Sequence, residues 1–475
     1  MRKTITVLST AALVAAFLPA PAHAAGFGIQ QLVWAPCTDI PDPGALECAT
    51  FDVPRDWNRP DDGKRFTISV SRLKPKGPGK GVLFTNPGGP GDLGRELPLE
   101  LTHRARLVDN LEIVGIDVRG TSPAHGISCG GHDFADHPDP RDRSPRGIRA
   151  VHDKARDHAR LCRQRSGEAG RYITTEQTVK DLDLLRRLMK VDKVDWLGYS
   201  GGTWLGAYYT AYFPRSVGRF VLDSTFDVTG TFQGGFAEIP RATERRFRAD
   251  LLPWIARNDA TYHLGTTPEQ VRGRYETTRA SLAADPVELP DGTLFTAMSL
   301  DRALTAATRH KEAFPQAAAV LAGEFAAFDP GSPDASRATA YMIMCNDTPF
   351  RGGPDFLAEE SARLGGRYPL NGYYQPLAPC AFWDRPSLTL KTPTGQGVPP
   401  VLFVQTERDP ATPVEGARRT HARFAGSRML TVDDGDHTVY GYDNACVNDA
   451  VEDFLVDGTL PTRDTTCPGT PIGGA

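Results

Sequence analysis

None of the eight cysteines in this sequence forms a C-x-x-C pair, so the spacing of zinc ribbons and dithiol redox sites is missing. No segment repeats itself, which excludes solenoids and propellers. An excess of one charge is missing too. The 54 Lys and Arg stand against 58 Asp and Glu, a net charge of -4, with no basic arm or stripe. Nucleic acid is therefore not an expected partner. The apolar run at residues 5–18 falls short of the roughly 20 residues a membrane-spanning helix needs. No cysteine follows it to carry a lipid, so no membrane attachment is expected.

That run has a different reading. Arg2 and Lys3 precede it and Ala22-His23-Ala24 follows it, the charged, apolar and small-residue parts of a secretory signal peptide over residues 1–24. A secreted protein is expected. The even cysteine count agrees, because structural disulfides belong to oxidising compartments. The cysteines fall into four sequence-local couples, giving the expected pairs Cys37–Cys48, Cys129–Cys162, Cys345–Cys380 and Cys446–Cys467.

At 475 residues the chain exceeds one ordinary domain. Nearly continuous apolar runs at 81–87, 111–119, 194–200, 219–224 and 401–406 fit strands covered on both faces, and 65–73 alternates. Helical patterns lie between them. One is opened by a Thr174…Gln177 capping box and carries Val179, Leu182, Leu185 and Met189 on one face. This alternation predicts an α/β fold with a mostly parallel sheet flanked by helices. The rhythm fails over 225–391, which reads as a mostly helical insertion late in a core formed by 25–224 and 392–475. The polar stretch 132–147 holds His132, Asp133, Asp136 and His137, and reads as a solvated loop rather than a metal site.

Gly198-Tyr199-Ser200-Gly201-Gly202 matches G-x-S-x-G between a strand and a helix, the context of a nucleophile elbow. Gly126-Ile127-Ser128-Cys129-Gly130 also matches, but it lies in a loop with no helix directly after it, so Ser128 reads as structural. A nucleophilic serine needs a base and an orienting acid. Asp409 follows the strand at 401–406, and His437 follows the next strand-like run. Asp223 and Asp434 are weaker acids for the role, Asp436 is too close in sequence to face His437, and His421 falls within a helix. The oxyanion donors expected are the amides of Gly201 and of Gly89 in "FTNPGGPG" (84–91).

With "NPGGPG", "GYSGGTWLGAYYTAYFP", "VLDS", "VQTERDPATP", "GDHTVYG" and the tail "CVNDAVEDFLVDGTLPTRDTTC", the chain resembles the secreted tripeptidyl aminopeptidases, proline-iminopeptidase-like α/β-hydrolases, over nearly its whole mature length. The resemblance implies an α/β-hydrolase fold, a helical cap over the site, and a serine exopeptidase releasing tripeptides from free N-termini. Ser200, Asp409 and His437 take the triad roles, and Gly89 and Gly201 the oxyanion hole. Proline iminopeptidases carry H-G-G-P-G where this chain has Pro87, which points away from single-proline removal. Peptides with free N-termini are the expected partners, of a monomer without metal or organic cofactor. The substrate amine needs an acid, and Asp347, Glu238, Glu244 and Glu324 are the candidates, with Asp347 favoured because the Cys345–Cys380 bridge would hold it. An esterase or amidase using the same triad, and a non-catalytic binding protein, are the rival readings.

Overall fold

A computed structural model describes residues 25–131, 137–325 and 332–473. The expected signal peptide at 1–24, and His132, Asp133 and Asp136, lie outside the described residues.

The sheet is built from strands whose burial matches their sequence. In β1 (Ala35–Pro36), β2 (Glu47–Pro54) and β3 (Arg65–Leu73) the chain runs along an antiparallel edge, and β3 alternates exposed and buried positions through much of its length. The strands β4 (Val82–Asn86), β5 (Glu112–Asp117), β6 (Val194–Tyr199) and β7 (Val217–Asp223) are interior and apolar. A short hairpin, β8 (Val287–Glu288) and β9 (Leu294–Phe295), stands apart, and β10 (Val401–Thr406), β11 (Arg428–Asp433) and β12 (Thr465–Pro468) complete the main sheet. Its order is β1-β2-β3-β5-β4-β6-β7-β10-β11-β12, parallel from β5 to β12.

Adjacent strand residues serve opposite faces, as the period of two requires. Phe84, Val114, Trp196, Phe220 and Phe403 pack in one apolar cluster. Their neighbours Leu83, Ile113, Leu197, Val221 and Leu402 pack in another. The helix Thr175–Leu188 covers the first face, with Val179, Leu182 and Leu185 buried. Thr174 caps it by accepting the Gln177 N–H, but the capping box is incomplete, because the Gln177 side chain accepts the Trp57 amide instead.

Strand order reverses direction at β4 and β6, since the chain passes from β4 outward to β5 and then back to β6. In open α/β sheets, ligands bind beyond the carboxyl ends of strands at such a switch point. The loop after β4 and the turn after β6 both lie there.

Between β7 and β10 the chain is mostly helical. Helices Leu252–Arg257, Pro268–Ala284, Ala297–Ala307 and Phe314–Ala322 bury Leu251, Trp254, Tyr275, Leu300 and Phe314 in a cluster of their own. Helix Asp334–Asp347 behaves differently: its Ala338, Tyr341 and Met342 join the cluster of the main sheet. This stretch therefore feeds two cores.

All four disulfides pair as the sequence spacing suggested, Cys37–Cys48, Cys129–Cys162, Cys345–Cys380 and Cys446–Cys467. The last joins helix Ala445–Glu452 to edge strand β12 across 21 residues. Closing a loop of that length stabilises the fold by about 3 kcal/mol. A Cys446→Ser/Cys467→Ser protein is expected to lose roughly that amount in urea unfolding, and an unchanged midpoint would contradict the assignment.

Candidate active site

Ser200 is the turn between β6 and helix Gly201–Tyr212, and it holds a backbone φ of 52°. A non-glycine residue there is strained, and the surrounding structure must enforce it. The Ser200 N–H donates to the Asp223 carbonyl at 3.0 Å, and the Ser200 carbonyl accepts the Thr203 N–H at 2.9 Å, which fixes both sides of the turn.

The loop after β4 is pressed against this elbow. A Cβ on Gly88, whose φ is 103°, would stand 2.5 Å from the Tyr199 carbonyl oxygen and 2.6 Å from the Gly201 nitrogen. On the elbow side, a Cβ on Gly202 would stand 2.5 Å from the Asn86 carbonyl oxygen. Only side-chain-free residues permit this approach. It brings the Gly89 and Gly201 amides side by side, and among the described residues neither meets an acceptor. Gly201 is also the first residue of its helix, where the N–H has no intrahelical partner and the dipole favours negative charge.

His437 and Asp409 meet as the chain order suggested. The His437 Nδ1 lies 3.0 Å from each Asp409 carboxylate oxygen. Asp409 is fully buried and also accepts the Ala411 and Thr412 N–H groups at 2.8 Å and the Thr412 hydroxyl at 2.8 Å. Burial alone would raise its pKa, but His437 and these donors outweigh it and hold the carboxyl below its ordinary value. The other acids have other partners. The Asp223 carboxylate accepts the Val439 and Tyr440 N–H groups, Asp434 binds Lys311, and Asp436 binds Arg246 and Lys311. His421 faces Ser427 and Asp464, away from the site. Ser128 donates to Asp334 at 2.6 Å, and its neighbour Cys129 is bridged.

Ser200 opens onto a cavity of about 840 Å³ between the carboxyl edge of the sheet and the helices that follow β7. Its walls include Phe226, Phe232, Phe236, Tyr341, Tyr373 and Met344. A volume near the top of the usual ligand-site range, with apolar walls and a few polar groups, fits a substrate of several residues.

The four acids expected to meet a substrate amine do not line this cavity. Asp347 is the last residue of helix Asp334–Asp347 and turns toward helix Thr175–Leu188, where it accepts the Thr175 N–H at 2.9 Å at that helix's first turn. Burial pushes its pKa up to about 7. Glu238 is paired with Arg419 at 2.9 Å, Glu244 with Arg248 and Arg272, and Glu324 is exposed. Among the described residues, the carboxylates that do face the cavity are Asp92, Asp301 and Glu360. Asp92 stands five residues beyond Pro87 in the glycine-rich loop, close enough to have been read from the sequence; Asp301 and Glu360 carry no motif.

Comparisons with known proteins agree with this geometry. A family described as TAP-like protein matches residues 368–467. Over 483 aligned residues the chain is 34% identical to a tripeptidyl aminopeptidase of Streptomyces lividans, covering 94% of this chain and 88% of that protein. This chain belongs to the tripeptidyl aminopeptidase family. It is a serine hydrolase on the α/β-hydrolase fold, in a family of serine peptidases. It is also 27% identical to serine protease Hip1 of Mycobacterium tuberculosis, over 92% of this chain and 91% of that one. A protein named Carboxylesterase B from the same organism is 28% identical over 92% of this chain and 90% of its own length.

The contact between elbow and loop yields a test. Gly88→Ala places a methyl group against two backbone atoms at a positive φ, and is expected to lower hydrolysis of a small ester at least about 100-fold, as loss of an oxyanion donor does. Gly273→Ala, in a helix with open space around it, should hydrolyse the ester normally and be slightly more stable. Equal ester hydrolysis by the two variants would contradict the packing described.

Proposed function

We propose that the protein is a secreted serine exopeptidase that releases tripeptides from the free N-termini of peptides. Ser200 is the nucleophile, His437 its base, Asp409 the acid that orients the imidazole, and the Gly89 and Gly201 amides the oxyanion hole. The helical stretch 225–391 acts as the cap. The single observation that carries this reading is the cavity on Ser200, of about 840 Å³ and walled by the helices that follow β7, with room for a peptide of a few residues.

In this scheme His437 takes the Ser200 proton as Oγ attacks the carbonyl of the third residue. The new C–O bond forms, the carbonyl oxygen becomes an oxyanion facing the two amides, and the Asp409 carboxylate stabilises the imidazolium. His437 then gives its proton to the leaving amine as the C–N bond breaks. Water, deprotonated by the same histidine, attacks the acyl-enzyme and frees the tripeptide.

The amine of an extended tripeptide lies about 10 Å from the carbonyl being attacked. Its anchor therefore belongs to the helical wall rather than to the loop carrying Asp92. Of the wall's acids, Asp301 is already held by Arg279 and Tyr275. Glu360 shares its charge only with the exposed Arg363, and we assign it to the amine. Secretion is supported by the pattern of residues 1–24 and by the four disulfides.

A second reading, an esterase acting on a small metabolite, is favoured by the relative named Carboxylesterase B. Matched tripeptide anilides, one with a free amine and one N-acetylated, separate the two when assayed beside p-nitrophenyl acetate. The free-amine anilide is expected to be hydrolysed at least about tenfold faster in kcat/KM, the worth of one charge-assisted contact, and Glu360→Gln should narrow that gap. Cleavage of the ester with neither anilide touched would overturn the peptidase reading in favour of the esterase.

A further inference from the structure

Among the described residues, the cavity carries guanidinium groups without matching carboxylates. Arg302 lies in the middle of helix Ala297–Ala307, Arg309 lies two residues beyond its end, and Arg337 lies on helix Asp334–Asp347; all three line the cavity. Arg309 and Arg337 are ion-paired to no described carboxylate, and the Arg337 Nε is buried without a hydrogen-bond partner. Burial holds Arg302 below the ordinary guanidinium value, and the nearby Arg309 and Arg337 charges push it the same way.

The described acids of the cavity do not offset Arg309 and Arg337. Asp301 accepts from Arg279 at 2.9 Å and from the Tyr275 hydroxyl at 2.7 Å. Glu360 is bound by Arg363 at 2.6 Å and, as assigned above, meets the substrate ammonium when peptide is bound. Asp92 remains. Burial raises its pKa and Arg309 counters part of that rise, so among the described residues Asp92 is the carboxylate left facing Arg309 and Arg337. Like charges held in a half-buried space repel, at a cost that falls when an anion enters.

The wall is also placed beside the chemistry. The Arg309 carbonyl accepts the His437 N–H at 2.7 Å. A Cβ on Gly91, two residues beyond the proposed oxyanion donor Gly89, would stand 2.9 Å from the Ser336 carbonyl oxygen, next to Arg337 in sequence. The guanidinium groups thus stand on chain segments that touch both the base loop and the oxyanion loop.

We propose that Arg302, Arg309 and Arg337 form a carboxylate-binding subsite, so that the enzyme selects peptides bearing a carboxylate close to the bond it cuts. Guanidinium forks match the two oxygens of a carboxylate and hold it by charge-assisted hydrogen bonds. This inference rests on the peptidase reading above and names its substrate class. Two sources supply the same chemistry: an acidic side chain among the three released residues, or the free C-terminus of a short leaving peptide.

The test uses isosteric pairs on the full mature protein. Tripeptide anilides carrying Glu or Gln at each position in turn read the side-chain source. Tetrapeptides ending in a free acid or an amide read the C-terminal source. At least one pair is expected to favour the acid by about tenfold or more in kcat/KM, the value of one charge-assisted contact. Arg337→Gln and Arg309→Gln should collapse that ratio. Arg337→Lys should keep part of it, which a misfolded variant could not do. Equal or poorer cleavage of every acid member would overturn the subsite. If no peptide is cleaved, inhibition of p-nitrophenyl acetate hydrolysis by glutarate, weakened in Arg337→Gln, still supports the subsite while the peptidase reading fails. No inhibition by glutarate in that case overturns both.

Discussion

The site depends on one buried carboxylate that performs no chemistry in the proposed reaction. Asp223 ends β7 with no exposed surface. Its backbone carbonyl accepts the Ser200 N–H, and its Oδ2 accepts the Val439 and Tyr440 N–H groups at 3.0 and 2.8 Å. One residue therefore holds the nucleophile turn and the histidine loop, which are more than two hundred positions apart in the chain. Burial pushes its pKa up to about 6, against the pull of the two backbone donors, as expected of a carboxylate kept for geometry. The residue after it, Ser224, accepts the Thr438 N–H on its hydroxyl at 2.7 Å. Ser200, Ser224 and Thr438 all carry a positive φ without being glycine. Backbone strain gathers where β6, β7 and the histidine loop converge, and the hydrogen bonds to Asp223 and Ser224 help hold it there.

The helical wall is fastened to the same loop. Arg246, fully buried on helix Phe232–Arg246, binds Asp436, the residue before His437, and also Asp250. Lys311 binds Asp434 at 2.7 Å and Asp436 at 3.1 Å. The His437 N–H itself ends on the Arg309 carbonyl. Cavity walls and imidazole are thus positioned together, so a shift of these helices moves both the cavity and His437. Removing one partner from such buried pairs leaves an unpaired charge, which costs far more than the pair contributes.

Much of this was legible in the sequence because strands buried on both faces announce themselves as continuous apolar runs. The run at 401–406 coincides with β10, and 194–200 exceeds β6 by the single residue that turns out to be the elbow. The serine, the histidine and its carboxylate partner were legible because each follows a strand in a fixed order. The strand β2 was not, since "ECATFDVP" mixes charged and apolar residues as an outer antiparallel strand does, and β12 is too short to show a period. The substrate-facing groups were least legible. Asp347 looked rigid because of its neighbouring disulfide, yet a helix places each side chain by its angle round the axis, and that angle turned Asp347 toward helix Thr175–Leu188. Arg337 joins Arg302 and Arg309 only through tertiary packing of a different helix, and no local spacing records it.

The central claim is that the elbow at Ser200, and no other serine, is the reactive centre. Its most direct test is treatment of the mature protein with an alkyl fluorophosphonate, followed by peptide mass mapping. A single adduct on Ser200, lost in His437→Ala, is the expected result. An adduct on Ser128, or inactivation with Ser200 unmodified, would contradict it.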